Sequence, residues 1–319
     1  MYLFANMKKI FKSVKVLFYW LSHENRPWMA ILTLLVGVTL LGIMGAFIKH
    51  LGDSYSPTFL AVARNIFGFI PVIIILTFTK RTSPVFFVPR KNIMLLLLRG
   101  GSIALAQFCF YLALLKLEFA TASTLVFAGP LFLTALSVPI LKANVGRWRW
   151  LAVLIGFLGV TLIMGVGLDL FNIYALLPLG AAFGYALSSV IVKLFEKDIQ
   201  TATIQLHTQG ITLLAAIVLL IVFSGYNPLL SIKDFFLIAV MGVGGGCGVI
   251  CLISAYRMTE PYIIAPFEYF GIPLSVYLGW AYFEEFPLSS LFPGVFFIVG
   301  AGALIIWREE KNKRPTEKL

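Results

Sequence analysis

Residues 28–49 read WMAILTLLVGVTLLGIMGAFIK, and no charged residue interrupts this apolar run before Lys49. The run is followed by Gly52 and Asp53, which favour a turn. A helix of about 20 apolar residues is long enough to cross the hydrocarbon core of a lipid bilayer. This stretch therefore predicts a transmembrane helix.

Nine further apolar runs of similar length follow, and short segments rich in charged and turn-forming residues separate them, for example residues 80–84 and 284–287. No separating segment is long enough to form an additional soluble domain. The sequence thus predicts an all-α membrane protein with ten transmembrane helices. The predicted spans are residues 28–49, 57–79, 93–115, 120–141, 149–167, 173–193, 203–223, 235–256, 262–283 and 288–307.

The composition supports this class, because 60% of the residues are hydrophobic, only 12% are charged, and the mean hydropathy is +0.95. Soluble domains carry roughly 25% charged residues, so most of this chain must be solvated by lipid. The three cysteines lie in apolar stretches and indicate neither a disulfide framework nor a metal site. No nucleophile-and-base group is recognisable, so we expect neither an enzyme nor a bound cofactor.

The 25 lysine and arginine residues give a net charge of +11 at pH 7. If both termini are cytoplasmic, 20 of these residues fall in the tails and inner loops, as the positive-inside rule requires. Lys49, Lys116 and Lys233 then lie at outer ends, and Arg64 and Arg99 lie within spans. The net charge therefore reflects orientation in the cytoplasmic membrane, and we expect no nucleic acid partner.

Two basic segments flank the spans. In residues 1–27, four lysines (Lys8, Lys9, Lys12 and Lys15) are interleaved with apolar residues, which favours a short helix lying on an anionic membrane surface. A disordered basic segment is the alternative. Residues 308–319 are predicted to form a basic cytoplasmic tail.

The two halves of the chain resemble each other weakly at a shift of 142 residues. Residues 113–118, ALLKLE, fall on residues 255–260, AYRMTE. Each half, 28–167 and 168–307, contains five predicted spans. Because five is odd, the second half must have the opposite orientation, and inverted repeats of this kind are typical of secondary transporters.

Short motifs recur in a fixed order across both halves: residues 98–101 (LRGG), 120–123 (ATAS), 130–132 (PLF), 265–269 (APFEY) and 283–287 (FEEFP). Their order and spacing over residues 28–307 resemble the drug/metabolite transporter superfamily, specifically proteins with two EamA domains. The resemblance implies ten transmembrane helices and uptake or export of small metabolites, often driven by a proton gradient or by exchange. The first half looks nearest to uptake members for S-adenosylmethionine or riboflavin.

The sequence departs from the family pattern at one position. Family members usually carry a glutamate at the end of the fourth helix, where this chain has Ala143, while the second-half counterpart Glu285 is present. We infer that the first-half glutamate is not required in this protein.

Three ionisable residues fall inside predicted spans, where a charge costs roughly 2.5–3.5 kcal/mol on insertion scales. Arg64 and Arg99 either extend to the nearest membrane surface or hold a cation for an anionic substrate group or a carboxylate partner. Glu268, next to Tyr269, is the strongest candidate for a substrate-binding or proton-binding residue. It is either a proton acceptor or a partner for a cationic substrate, or it pairs structurally with a buried arginine.

Uncharged residues complete the candidate site. Gln107, Tyr185 and Trp280 lie within spans and are candidate cavity-lining residues. Gln205 and Gln209 share one helical face and favour hydrogen bonding between helices. The glycine-rich stretch 242–248 favours close helix packing, with flexibility for gating as the alternative.

The function predicted from these features is secondary active transport of a small polar or aromatic metabolite by alternating access. The expected partners are that metabolite and membrane lipid. The alternatives are a non-transporting membrane scaffold and, within transport, a channel. The sequence leaves open the substrate, the direction of transport, the coupling ion and the oligomeric state.

Overall fold

The structure is a computed structural model of the chain, and all the secondary structure that it describes is helical. Residues 1–26, which hold the predicted interfacial helix, and most of the basic tail lie outside the described residues. Those residues are 27–78, 90–142, 147–163, 173–196, 199, 201–223, 231–258, 267–285 and 291–312.

The α-helices are numbered here in chain order, and two short 3₁₀ helices, Arg90–Asn92 and Ile173–Ala175, lead into α3 and α7. The helices are α1 (Pro27–Gly52), α2 (Pro57–Phe78), α3 (Ile93–Lys116), α4 (Phe119–Val126), α5 (Gly129–Leu141), α6 (Arg147–Ile163), α7 (Leu176–Val192), α8 (Thr201–Val222), α9 (Ile232–Met258), α10 (Gly271–Phe283) and α11 (Gly294–Asn312).

Seven helical segments are long and apolar enough to cross a membrane. They lie in α1, α2, α3, the pair α4 and α5, α7, α8 and α9. Within α6, Trp150–Ile163 is apolar but shorter, and α10 has 13 residues. The prediction of a helical, multi-pass membrane protein is therefore confirmed, while the count of ten crossings stays a prediction.

Two predicted spans are interrupted. In the fourth, α4 ends at Val126 and α5 begins at Gly129, with Pro130 in its first turn. Proline lacks the backbone N–H group and disfavours a helical conformation in the residue before it, so a helix restarts there more easily than it continues. In the ninth, Phe267 and Glu268 are helical, Tyr269 and Phe270 form a turn, and α10 follows.

The helices α5 and α10 match each other in detail. Each has 13 residues, and α10 begins 142 residues after α5. Each is followed by a residue in the left-handed backbone region, Lys142 with φ 52° and Glu284 with φ 57°. This agreement reproduces the 142-residue shift that the sequence suggested.

Glycines let α1 and α9 pack closely. A Cβ atom on Gly248 would lie 3.2 Å from the carbonyl oxygen of Gly37, and one on Gly37 would lie 3.0 Å from the carbonyl oxygen of Gly248. Small residues permit such backbone contact between helices in lipid. The packing interpretation of the glycine-rich stretch 242–248 is therefore confirmed at this position.

Candidate functional site

A buried network of polar side chains joins α2, α3 and α8, and Asn65 lies at its centre. The Asn65 side chain accepts hydrogen bonds at Oδ1 from Arg64 Nη1 at 3.0 Å and from Gln209 Nε2 at 2.9 Å. Its Nδ2 donates to Gln107 Oε1 at 2.9 Å and to the carbonyl oxygen of Ala61 at 2.8 Å. Because the asparagine is fully buried, these bonds fix the three helices relative to one another.

The network extends along α8. Gln205 donates to Gln209 Oε1 at 3.1 Å, as expected for two side chains on one helical face, while His207 contacts the carbonyl oxygen of Thr203. Arg99 Nη1 donates to the hydroxyl of Thr208 at 2.6 Å. The α8 residues thus connect both buried arginines through adjacent positions of one helix.

The two arginines are buried within the protein and do not extend to a membrane surface, so the surface interpretation is wrong for both. Arg64 and Arg99 are each only 3% exposed, and the Nε atom of each has no hydrogen-bond partner. Among the described residues, the ion pairs are Lys49–Glu285 and Lys91–Glu196. Neither arginine therefore has a described carboxylate within ion-pair distance.

Two tyrosines lie near Arg64. The guanidinium is close enough to Tyr111 and Tyr185 to interact with both electrostatically. Tyr111 is fully buried, and its hydroxyl has no hydrogen-bond partner. The guanidinium also lies against α9, since a Cβ atom on Gly245 would lie 3.1 Å from Arg64 Nε.

Glu268 lies at the interruption of the ninth predicted span. It accepts a hydrogen bond from the hydroxyl of Tyr256 at the end of α9, rather than pairing with a buried arginine. Tyr269 beside it is buried, and its hydroxyl has no partner. Phe127, in the interruption of the fourth span, covers Gly271 so closely that a Cβ atom there would lie 1.9 Å from the ring. The two interruptions therefore meet.

The structure does not bring Trp280 into the polar network. Its side chain is 57% exposed and lines a shallow apolar cavity of about 350 Å³ between α10 and the segment that leads into α11. The other residues that line this cavity are Ile272, Pro273, Val276, Tyr277, Leu291, Phe292 and Val295.

Sequence reasoning missed two members of the network, Asn65 and Thr208, and the neighbouring Tyr111. Asn65 carried a usable signal, because an amide next to an arginine within an apolar run is expensive in lipid unless both groups find partners. Thr208 and Tyr111 carried none, since both residue types are ordinary in apolar helices.

A second polar cluster joins the ends of four helices. Lys49, near the end of α1, pairs with Glu285 after α10 and donates to the carbonyl oxygen of Leu117 at 3.2 Å. The other carboxylate oxygen of Glu285 accepts from the backbone N–H of Phe119, at the start of α4, at 2.7 Å. Glu285 therefore satisfies a free backbone donor of α4 while it neutralises Lys49.

Ionisable groups buried among the helices of a multi-pass membrane protein mark a candidate functional site. Residues 28–165 match the EamA-like transporter family, which confirms the resemblance drawn from the motifs.

Named relatives agree with this family. A riboflavin transporter of Vibrio cholerae is 30% identical over 200 residues, which cover 60% of this chain and 63% of that protein. An S-adenosylmethionine uptake transporter of Rickettsia prowazekii is 29% identical over 192 residues, covering 60% and 64%. The pseudopaline exporter CntI of Pseudomonas aeruginosa is 26% identical over 219 residues, covering 67% and 76%. The chain thus matches less than two thirds of the length of the first two relatives.

The fold also resembles that of a solved protein. A crystal structure superposes with a TM-score of 0.63 over 92% of this chain and all of that chain, at 16% sequence identity. At this level of identity the similarity concerns the fold alone.

Proposed function

We propose that this protein is a secondary active transporter, which moves a small polar or aromatic metabolite across the cytoplasmic membrane by alternating access. The observation that carries the proposal is the buried polar network, because it joins helices from both halves of a chain whose first half matches EamA-like transporters. Both termini are cytoplasmic in this proposal, and the driving force is a proton gradient or exchange.

The proposal includes two inverted halves of five spans each, 28–167 and 168–307. The paired helices α5 and α10 support it, as does the end of α9 at Met258, 142 residues after the end of α3 at Lys116. The helices α2 and α8 also match, each with 22 residues. Asn65 and Gln209 are each the ninth residue of their helix, and they bond to each other. This contact is where a pseudo-twofold axis would pass.

Contacts between helix ends support the alternating orientation. Ten crossings put Lys49, Leu117, Phe119 and Glu285 on the outer side, and these residues are in contact. The same topology puts Tyr55 and Asp234 together on the outer side, where their side chains bond at 3.0 Å. It puts Lys91 and Glu196 together on the inner side, where they form an ion pair.

The two helix interruptions are the proposed place of substrate or ion exchange. Discontinuous helices expose backbone groups at membrane depth, and in transporters these line substrate sites. Glu268 stands at one interruption, with Tyr269 beside it and Phe127 from the other interruption nearby. In this proposal Glu268 takes up and releases the coupling proton, or binds a cationic group of the substrate.

The relatives support a small-metabolite substrate but not one compound or one direction. Their names specify riboflavin transport, S-adenosylmethionine uptake and pseudopaline export.

Counterflow in proteoliposomes tests the proposal. Vesicles containing the purified protein are loaded with an unlabelled metabolite, and entry of the labelled form is followed for riboflavin and S-adenosylmethionine in turn. A transporter accelerates entry of the label when unlabelled solute is inside. A channel gives entry without this acceleration, and a scaffold gives no protein-dependent entry, so either result would contradict the proposal.

A further inference from the structure

The surroundings of Arg64 contain unsatisfied donors and a positive charge without a described counter-charge. Arg64 Nε and the Tyr111 hydroxyl both lack hydrogen-bond partners, and both residues are almost completely buried. The single described hydrogen bond of the guanidinium goes to Asn65 Oδ1, a neutral oxygen that Gln209 also uses. Burying an unpaired cation costs several kcal/mol, so this arrangement persists only if something else favours it.

Depth in the membrane makes a simple surface role unsuitable for Arg64. The residue lies seven positions after Pro57, which is about 10 Å into α2 at 1.5 Å per residue. Its guanidinium packs against Gly245 of α9, where a Cβ atom would lie 3.1 Å from Arg64 Nε and 2.4 Å from Sδ of Met44. A side chain at position 245 would displace Arg64 and Met44, so the glycine provides the space that the guanidinium occupies.

We infer that Arg64 and Tyr111 form the contact point for an anionic group of the transported solute, either a carboxylate or a phosphate. This inference rests on the proposed transport function and adds the chemical class of the substrate. Carboxylate and phosphate oxygens accept hydrogen bonds and match the planar donor geometry of arginine. One such group would satisfy Arg64 Nε, neutralise the guanidinium and accept from the Tyr111 hydroxyl. Among the described residues, Arg64 Nε and the Tyr111 hydroxyl have no hydrogen-bond partner, and the guanidinium has no ion-pair partner.

Thermal unfolding of the detergent-purified full-length protein tests this inference with matched probe pairs. Succinate is compared with succinamide for the carboxylate, and glycerol 3-phosphate with glycerol for the phosphate. A ligand of the folded state raises the unfolding temperature by mass action. We expect the anionic member of at least one pair to raise it and the neutral member to have no effect, and the responding pair identifies the anion.

Variants separate a binding role from a structural one. In Arg64→Gln the apparent affinity for the responding anion should fall at least tenfold, and in Tyr111→Phe severalfold. Without added anion, Arg64→Gln should unfold at the same temperature as the wild type or a few degrees higher, because it removes an unpaired buried charge while Asn65 Oδ1 keeps its bond from Gln209. The exposed cation variant Lys91→Gln is the control and should keep full affinity.

Three results would overturn the inference. The first is an equal effect of the anionic and neutral probes on the unfolding temperature, which includes no effect of either. The second is an unchanged affinity of Arg64→Gln for the anion. The third is a lower unfolding temperature of Arg64→Gln than of the wild type when no anion is added. The last would mean that Arg64 is held for structural reasons. Counterflow of neutral solutes alone would contradict the anion site but not the proposed transport function. Absence of all counterflow would contradict the transport function.

Discussion

At the scale of single residues, the sequence identified Glu268 as a candidate site residue but did not identify its hydrogen-bond partner. A carboxylate within an apolar run marks a candidate site because its burial is costly in lipid. The partner was not predictable: a buried arginine was one alternative from the sequence, whereas the structure supplies the hydroxyl of Tyr256. Pairing depends on which faces of two helices meet, and a single sequence does not encode that directly.

The glutamate variant Glu268→Gln tests the proposed coupling role. The amide can accept the hydrogen bond from Tyr256 but cannot take up a proton, so counterflow should lose its dependence on pH while the protein remains folded. The described titratable groups beside Glu268 are Tyr256 and Tyr269. The pH profile of counterflow is measured beside that of Glu118→Gln, an exposed carboxylate variant that should match the wild type. An unchanged profile in Glu268→Gln would remove the glutamate from the mechanism.

At the scale of helices, the apolar runs and their breaks were the predictable part of the fold. Run length identified the long helices, whereas the interruption of the fourth span before Pro130 was not predicted. The close packing of α1 and α9 through Gly37 and Gly248 follows from small residues in lipid, although the sequence did not say which glycines would meet. The polar cluster at the helix ends was not predicted, because it joins residues more than 200 positions apart.

The contact between Lys49 and Glu285 links the two halves on the proposed outer side, so it must break whenever that side opens. Joining these positions covalently should therefore stop transport. Lys49→Cys and Glu285→Cys are combined in a background without Cys109, Cys247 and Cys251, and a short, reducible bis-thiol reagent is added. We expect counterflow to fall at least tenfold and to recover after reduction.

A matched pair within one half controls for the reagent. Glu118 and Thr121 approach each other at 3.4 Å in the first half alone, so cross-linking Glu118→Cys to Thr121→Cys should leave counterflow near the wild-type rate. Full transport by protein shown to be cross-linked between positions 49 and 285 would mean that these helix ends do not separate.

At the scale of the whole molecule, the weak 142-residue similarity in sequence corresponds to matched helix bounds and matched left-handed residues after α5 and α10. Few side chains agree between the halves at this shift, whereas the ends of α5 and α10 do. The polar network is only partly symmetric: Asn65 corresponds to Gln209, whereas Arg64 of α2 corresponds to Thr208 of α8 at the spacing of these helices. The site therefore had to be found from the structure.

Lys142 and Glu284 provide the most direct test of two oppositely oriented halves, because they occupy the same position after α5 and α10 and both are exposed. Each is replaced by cysteine in the cysteine-free background and treated with a membrane-impermeant maleimide. Glu284→Cys should be labelled in intact cells, and Lys142→Cys only after the membrane is made permeable. Labelling of both positions from the same side would contradict the inverted arrangement and the transport mechanism built on it.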